Sequence, residues 1–121
     1  MEQTEQLARL DALQKKLYAY ACAENALYLD AVTVAPKNTA EGRGVALGIL
    51  AGEHQKLLTD PETKRLLEEL AAASGSLDAL HKREVELLRR ESGKLARIPA
   101  DEYMAYTELT NRASDVWHKA K

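Results

Sequence analysis

Apolar residues recur at intervals of three and four along most of the chain, and the first hard break in that rhythm is Pro36. Such a period lays an apolar stripe down one side of an α-helix. Directly after the break, four of the six glycines fall within eleven residues, at Gly42, Gly44, Gly48 and Gly52. A chain patterned in this way is confined to all-α folds. Its 121 residues suit a single helical domain, 1–121, with one core. With five Tyr, one Trp and no Phe, that core has to be assembled from Leu and Ala.

Five helices follow from the pattern. The first runs from about Gln3 to Val34 on a stripe of Leu7, Leu10, Leu13 (or Gln14), Leu17, Tyr20, Ala21, Leu27 and Tyr28. Pro36 ends it, because proline pushes the preceding Ala35 out of the helical region. At roughly thirty residues it would be about 45 Å long, more than so small a domain needs. A second helix, about Ala40 to Leu58, begins at the capping residues Asn38 and Thr39. Thr59-Asp60-Pro61-Glu62 is a strong helix start, with Asp60 as N-cap and Pro61 in the first helical position. The third helix then runs to about Ala73 and buries Leu66, Leu67 and Leu70. Ser76 is the expected cap of a fourth, about Leu77 to Ala96, with Leu77, Leu80, Glu84, Leu87, Leu88, Glu91 and Leu95 at helical spacing and a Glu86–Arg90 pair. Pro99 separates it from a fifth, carrying Tyr103, Tyr106, Leu109, Ala113 and Trp117. A core-type Trp so near the last residue, with no stop signal behind it, suggests that the natural protein continues.

The second helix carries an anomaly. Ala40, Gly44, Gly48 and Gly52 are spaced by four, so one face is nearly bare, although each interior glycine costs about 1 kcal/mol against alanine. Spacing this regular predicts close packing of another helix on that face. A flexible hinge is the rival.

The chain shows little sign of chemistry of its own. His54, His81 and His118 fall on different helices with no His-x-x-x-His or His-Glu-x-x-His pair, and read as surface or helix-contact residues. No Asp or Glu pair stands out as an acid–base dyad. Cys22 is alone, which excludes an internal disulfide and a cysteine zinc cluster; it reads as a small buried hydrophobe. The glycines lack the Gly-Lys-Ser/Thr of a phosphate loop. His81, Lys82, Arg83, Arg89, Arg90, Lys94 and Arg97 are interrupted by Glu84, Glu86 and Glu91 and read as a solvated face, with a patch for nucleic acid or another anionic partner as the lesser alternative; the net charge of −2 gives no global pull toward nucleic acid. The longest uncharged run, Gly44 to Gly52, is nine residues, far short of a membrane span. The start Met1-Glu2-Gln3-Thr4-Glu5 is not that of a signal peptide, so the cytoplasm is the expected compartment.

One longer pattern remains. Asp30, Thr33, Pro36, Arg43, His54 and the run Leu58-Thr59-Asp60-Pro61 stand in order, followed by Arg83-Glu84, then Arg97-Ile98-Pro99-Ala100, then Trp117 with Ala120-Lys121. This ordered set resembles the N-terminal region of the thermostable, Taq-type metallocarboxypeptidases, peptidase family M32. The likeness covers nearly the whole chain. Leu29, Ala31 and Ala35 depart from it, standing where the family usually has Trp, Gln and Met, which marks a divergent member.

The resemblance implies a zinc enzyme that releases C-terminal amino acids from peptides, mostly helical and often dimeric. It also implies that the His-Glu-x-x-His zinc helix and the residues holding the substrate carboxylate lie in sequence this chain does not contain. The chain would then be scaffold and groove wall, or lid, with no catalytic or metal residue of its own, and inactive alone. Asp30, Thr33, Pro36, Arg43, His54, Asp60, Pro61, Pro99 and Trp117 would be structural. Its partners would be the rest of the parent enzyme, the peptide substrate and further copies of itself, with no nucleic acid and no membrane. A stand-alone helical module that binds other proteins is the alternative.

Overall fold

The computed structural model describes residues 2–120. The chain is all-α: α1 (Gln3–Val32), α2 (Ala40–Thr59), α3 (Pro61–Ala72), α4 (Ala79–Leu95) and α5 (Ala100–Ala120), with a 3-10 turn at Ser74–Ser76. No helix among the described residues is long and apolar enough to cross a membrane.

The chain divides into two compact units, one formed by residues 1–17 and 55–98, the other by residues 18–54 and 99–121. The first unit therefore holds the start of α1, the end of α2, and α3 and α4. The second holds the rest of α1 and α2, the corner between them, and α5.

The first unit carries a leucine core. Leu10, Leu13 and Leu17 of α1, Leu58 of α2, Leu66, Leu67 and Leu70 of α3, and Val85, Leu88 and Leu95 of α4 are all buried. The three α3 leucines are those that the periodicity assigned to the core. On α4 the buried stripe is rotated from the expected one, so that Leu80 and Leu87 are exposed and Ser92 is buried. Ser92 can be buried because its hydroxyl donates to the Leu58 carbonyl at 2.6 Å. Gln55, also buried, spans the same junction: its amide donates to the carbonyls of Leu95 (3.1 Å) and Ile98 (2.8 Å), at the end of α4. Carbonyls at a helix end run short of intrahelical donors; the Leu95 carbonyl also accepts from the Ile98 N–H at 3.1 Å, and Gln55 adds a side-chain donor to it and to the Ile98 carbonyl. On the solvent side Arg89 forms a two-pronged pair with Glu68 of α3, at 3.1 and 3.0 Å. Glu86 pairs back with Arg83 at 3.0 Å rather than forward with Arg90.

The fourth helix starts later than expected. Ser76 ends the 3-10 turn, and the N-cap is Asp78, whose carboxylate accepts the backbone N–H of His81 at 2.9 Å. Asp60 and Pro61 stand in the expected N-cap and first-turn positions of α3, although the Asp60 side chain makes no capping bond.

The second unit is packed differently. Among its described residues the only buried hydrophobic one is Ala51, and the glycine face of α2 packs closely against α5. A Cβ at Gly44 would lie 3.0 Å from Asn111, one at Gly48 3.2 Å from Glu108, and one at Gly52 3.0 Å from Met104. As α2 ascends from 44 to 52, α5 descends from 111 to 104, so the two helices run antiparallel. Asn111 also donates to the Ala40 carbonyl at 2.8 Å. The bare face thus receives another helix, and the hinge reading gives way to close packing.

That arrangement overturns the expected role of the α5 aromatic stripe. The face toward α2 carries Met104, Glu108 and Asn111, and Tyr106 (65%), Leu109 (56%) and Trp117 (58%) are exposed. Cys22 is exposed as well, not buried. The buried face of α1 ends at Leu17, and past it no residue of that helix is fully buried.

Candidate functional site

The segment joining α1 to α2 gathers several residues of the ordered pattern in the second unit. The end of α1 winds onto one acceptor: the Asp30 carbonyl takes the N–H groups of Thr33, Val34 and Ala35 at 3.3, 3.2 and 2.9 Å. The Thr33 hydroxyl donates to the Leu29 carbonyl. After Pro36, Asn38 adopts a left-handed backbone with φ 68°, so it turns the chain and is not itself the N-cap. Thr39 directly precedes α2; its hydroxyl donates to the Pro36 carbonyl at 2.7 Å and accepts from Arg43 Nη1 at 3.1 Å. Pro36, Thr39 and Arg43 are therefore one hydrogen-bonded corner. Arg43 Nε is shielded from solvent with no hydrogen-bond partner.

His54 sits elsewhere in that unit. Its Nδ1 is 3.3 Å from Glu24 Oε1, and the Tyr20 ring lies 6.3 Å away. Trp117 makes an edge contact with the neighbouring His118 ring. Pro99 precedes α5 and its carbonyl accepts from the Tyr103 N–H at 3.0 Å. Asp60 and Pro61 lie in the first unit at the start of α3. Within each unit the pattern residues lie at the corner, at helix starts and in helix contacts.

A cleft of about 650 Å³ in the second unit is lined by the start of α2 and by α5. Its charges are mixed: Glu41, Glu108 and Asp115 stand with Arg112 and Lys119, and Lys119 is paired with Asp115 at 3.1 Å. Such a lining has no marked preference for either sign of ligand.

The grouping with the most chemical potential is one that sequence reasoning missed. In the first unit, Asp11 of α1 and His81 and Glu84 of α4 bring one ligand-capable atom each within 4.8 Å of one another. His81 is held from both sides, with Nδ1 2.7 Å from Asp78 Oδ1 and Nε2 3.3 Å from Asp11 Oδ1. The hydrogen bond to Asp78 raises the His81 pKa above the ordinary histidine value; burial opposes it, and the hydrogen bond to Asp11 adds to the rise. In return the His81 backbone N–H, and then its ring, hold the Asp78 carboxyl below the usual range. Glu84 Oε2 is shielded from solvent and has no hydrogen-bond partner. The sequence held part of this signal, since His81 and Glu84 are three apart and share a helix face. The contribution of Asp11, from a helix seventy residues away in sequence, was not visible there.

A family model described as Carboxypeptidase Taq (M32) metallopeptidase matches residues 9–121 of the chain. No match was found among curated proteins, and none among solved structures.

Proposed function

The chain belongs to the Carboxypeptidase Taq (M32) metallopeptidase family, and from that membership we propose that it is a helical scaffold and groove wall of a cytoplasmic metallocarboxypeptidase whose reacting groups are supplied by other sequence. The family match over residues 9–121 carries this reading. Two features of the structure support it.

The first is the donor set. A peptidase metal centre needs several ligands converging beside a general base. Here the three histidines have separate company: Glu24 for His54, Asp11 and Asp78 for His81, and the Trp117 ring for His118. No His-Glu-x-x-His pair occurs in the sequence. The residues present do not fit the family's metal centre, and the proposal assigns that metal, zinc, to residues beyond these.

The second is the uneven burial. The second unit exposes Tyr28, Leu29, Val32 and Val34 around its corner, Val45 and Ile49 on α2, and Tyr106, Leu109, Val116 and Trp117 on α5. The first unit exposes Leu80, Leu87 and Ile98. Apolar surface on this scale calls for a cover. In the proposed enzyme the remaining chain provides it, and peptide substrate binds in a groove that these helices help to wall. In the isolated chain a second copy takes its place.

The test is an assay of the 121-residue chain, supplied with zinc, for release of C-terminal amino acids from peptides. No turnover is expected, and turnover that survives repurification would overturn the scaffold reading. The exposed surface would equally suit a self-sufficient interaction module. The codons after Lys121 separate the two: a continuing frame that encodes His-Glu-x-x-His supports the enzyme, and a stop codon supports the module.

A further inference from the structure

We propose that Asp11, His81 and Glu84 form an accessory binding site for a zinc-class divalent cation, one that ties the first half of α1 to α4 and is separate from the metal of peptide hydrolysis.

Three observations lead there. The donor atoms come from two helices far apart in sequence, yet lie within 4.8 Å of one another, the span that the ligands of a single cation occupy. His81 is already oriented in the manner of a metal-bound histidine. Asp78, fixed as the N-cap of α4, stands 2.7 Å from Nδ1 and leaves Nε2 turned toward Asp11. A carboxylate behind a ligating histidine fixes its tautomer and makes the other nitrogen a better donor. Finally, Glu84 Oε2 is sealed from solvent with nothing to accept from. A shielded carboxylate oxygen without a partner is costly, and a cation beside His81 would satisfy it.

The ligand set selects the ion class. One imidazole nitrogen with two carboxylates suits zinc and its neighbours, whereas magnesium and calcium prefer oxygen alone and more of it. Three protein ligands leave a fourth position for water. Without the cation, the His81 ring lies between the carboxylates of Asp11 and Asp78. A cation binds Nε2 only when that nitrogen is free of its proton, and the same carboxylates then face the cation. The consequence is mechanical: α1 and α4 become cross-linked at the surface of the leucine core.

The experiment uses the full 121-residue chain, stripped with chelator and dialysed against zinc chloride. Uptake of one zinc per chain is expected, with a rise in Tm that magnesium at the same concentration does not produce. Asp11→Asn and Glu84→Gln should each weaken zinc binding by at least about 10-fold, and His81→Gln should abolish it. His54→Gln and His118→Gln should bind as the parent does. Asp11 is exposed, so its variant keeps the test clear of folding defects. No zinc uptake by the folded parent chain, or uptake left intact in both the Asp11 and His81 variants, overturns the proposal.

Discussion

Gly48 of α2 lies so close to Glu108 of α5 that a Cβ at position 48 would stand 3.2 Å from Glu108 Cγ, with the Met104 carbonyl at 3.4 Å. Gly93, on the exposed side of α4, has nothing within 4 Å of the same imagined atom. The two glycines therefore separate backbone preference from packing. Gly93→Ala should stabilise the protein by about 0.5–1 kcal/mol through helix propensity alone. Gly48→Ala should gain less, because Glu108 has to move. Gly48→Leu, which cannot be housed without parting α2 from α5, should cost about 1–3 kcal/mol. Urea unfolding of the three variants checks this. Equal gains from both alanines would mean that the glycine face serves flexibility and not contact.

The left-handed Asn38 gives a second prediction. At φ 68° a β-branched side chain clashes with its own backbone, whereas glycine does not. Asn38→Gly should be close to neutral, and Asn38→Val should lose about 1–2 kcal/mol. A chain that tolerates valine as well as glycine there would show that the corner after Pro36 relaxes freely. Thermal unfolding followed by circular dichroism reads both variants.

Much of the helical layout is legible in the sequence, because proline, aspartate and glycine act locally. Pro36, Asp60-Pro61 and Pro99 marked boundaries to within about two residues, and Leu66, Leu67 and Leu70 declared the inner face of α3. Which face of a helix turns inward is a tertiary choice, and there local pattern misled. On α5 the apolar stripe of Tyr106, Leu109 and Trp117 stays exposed, since the bare glycine face accepts Met104, Glu108 and Asn111 instead. On α4 Ser92 is buried although the expected stripe ran through Glu91, because the Leu58 carbonyl offers its hydroxyl a partner. The cluster at His81 was hidden for a similar reason: its third member arrives through the packing of α1.

The exposed stripe of α5 leads to a third prediction. Leu109 and Val116 are seven residues apart, on one face and open to solvent, and carry part of the apolar surface of the second unit. The isolated chain should self-associate, with a sedimentation-average mass that climbs with concentration. Replacing both residues by glutamate should lower that association by at least about tenfold while leaving helicity intact, since neither is buried. A parent chain that sediments as a strict monomer at high concentration would show that this face does not drive assembly.

Gln55 gives the last prediction, and it concerns cooperativity within the first unit. Its amide donates to two carbonyls at the end of α4, while Ser92 on α4 donates back to Leu58, three residues along α2 from Gln55. Both side chains are buried, so removing either takes a donor from a carbonyl at this junction. Gln55→Leu keeps the volume and removes both hydrogen bonds, and should cost about 1–3 kcal/mol; Ser92→Ala should cost about 1 kcal/mol. The two act on the same pair of helix ends from opposite sides. Once Gln55→Leu has loosened the end of α4, the Leu58 carbonyl can reach water, and losing the Ser92 hydroxyl matters less. The double variant should therefore be less destabilised than the two single losses combined, by about 0.5 kcal/mol or more. Strict additivity in denaturant unfolding would show that the end of α4 is held in place by its leucines alone, with the buried amide and hydroxyl acting independently.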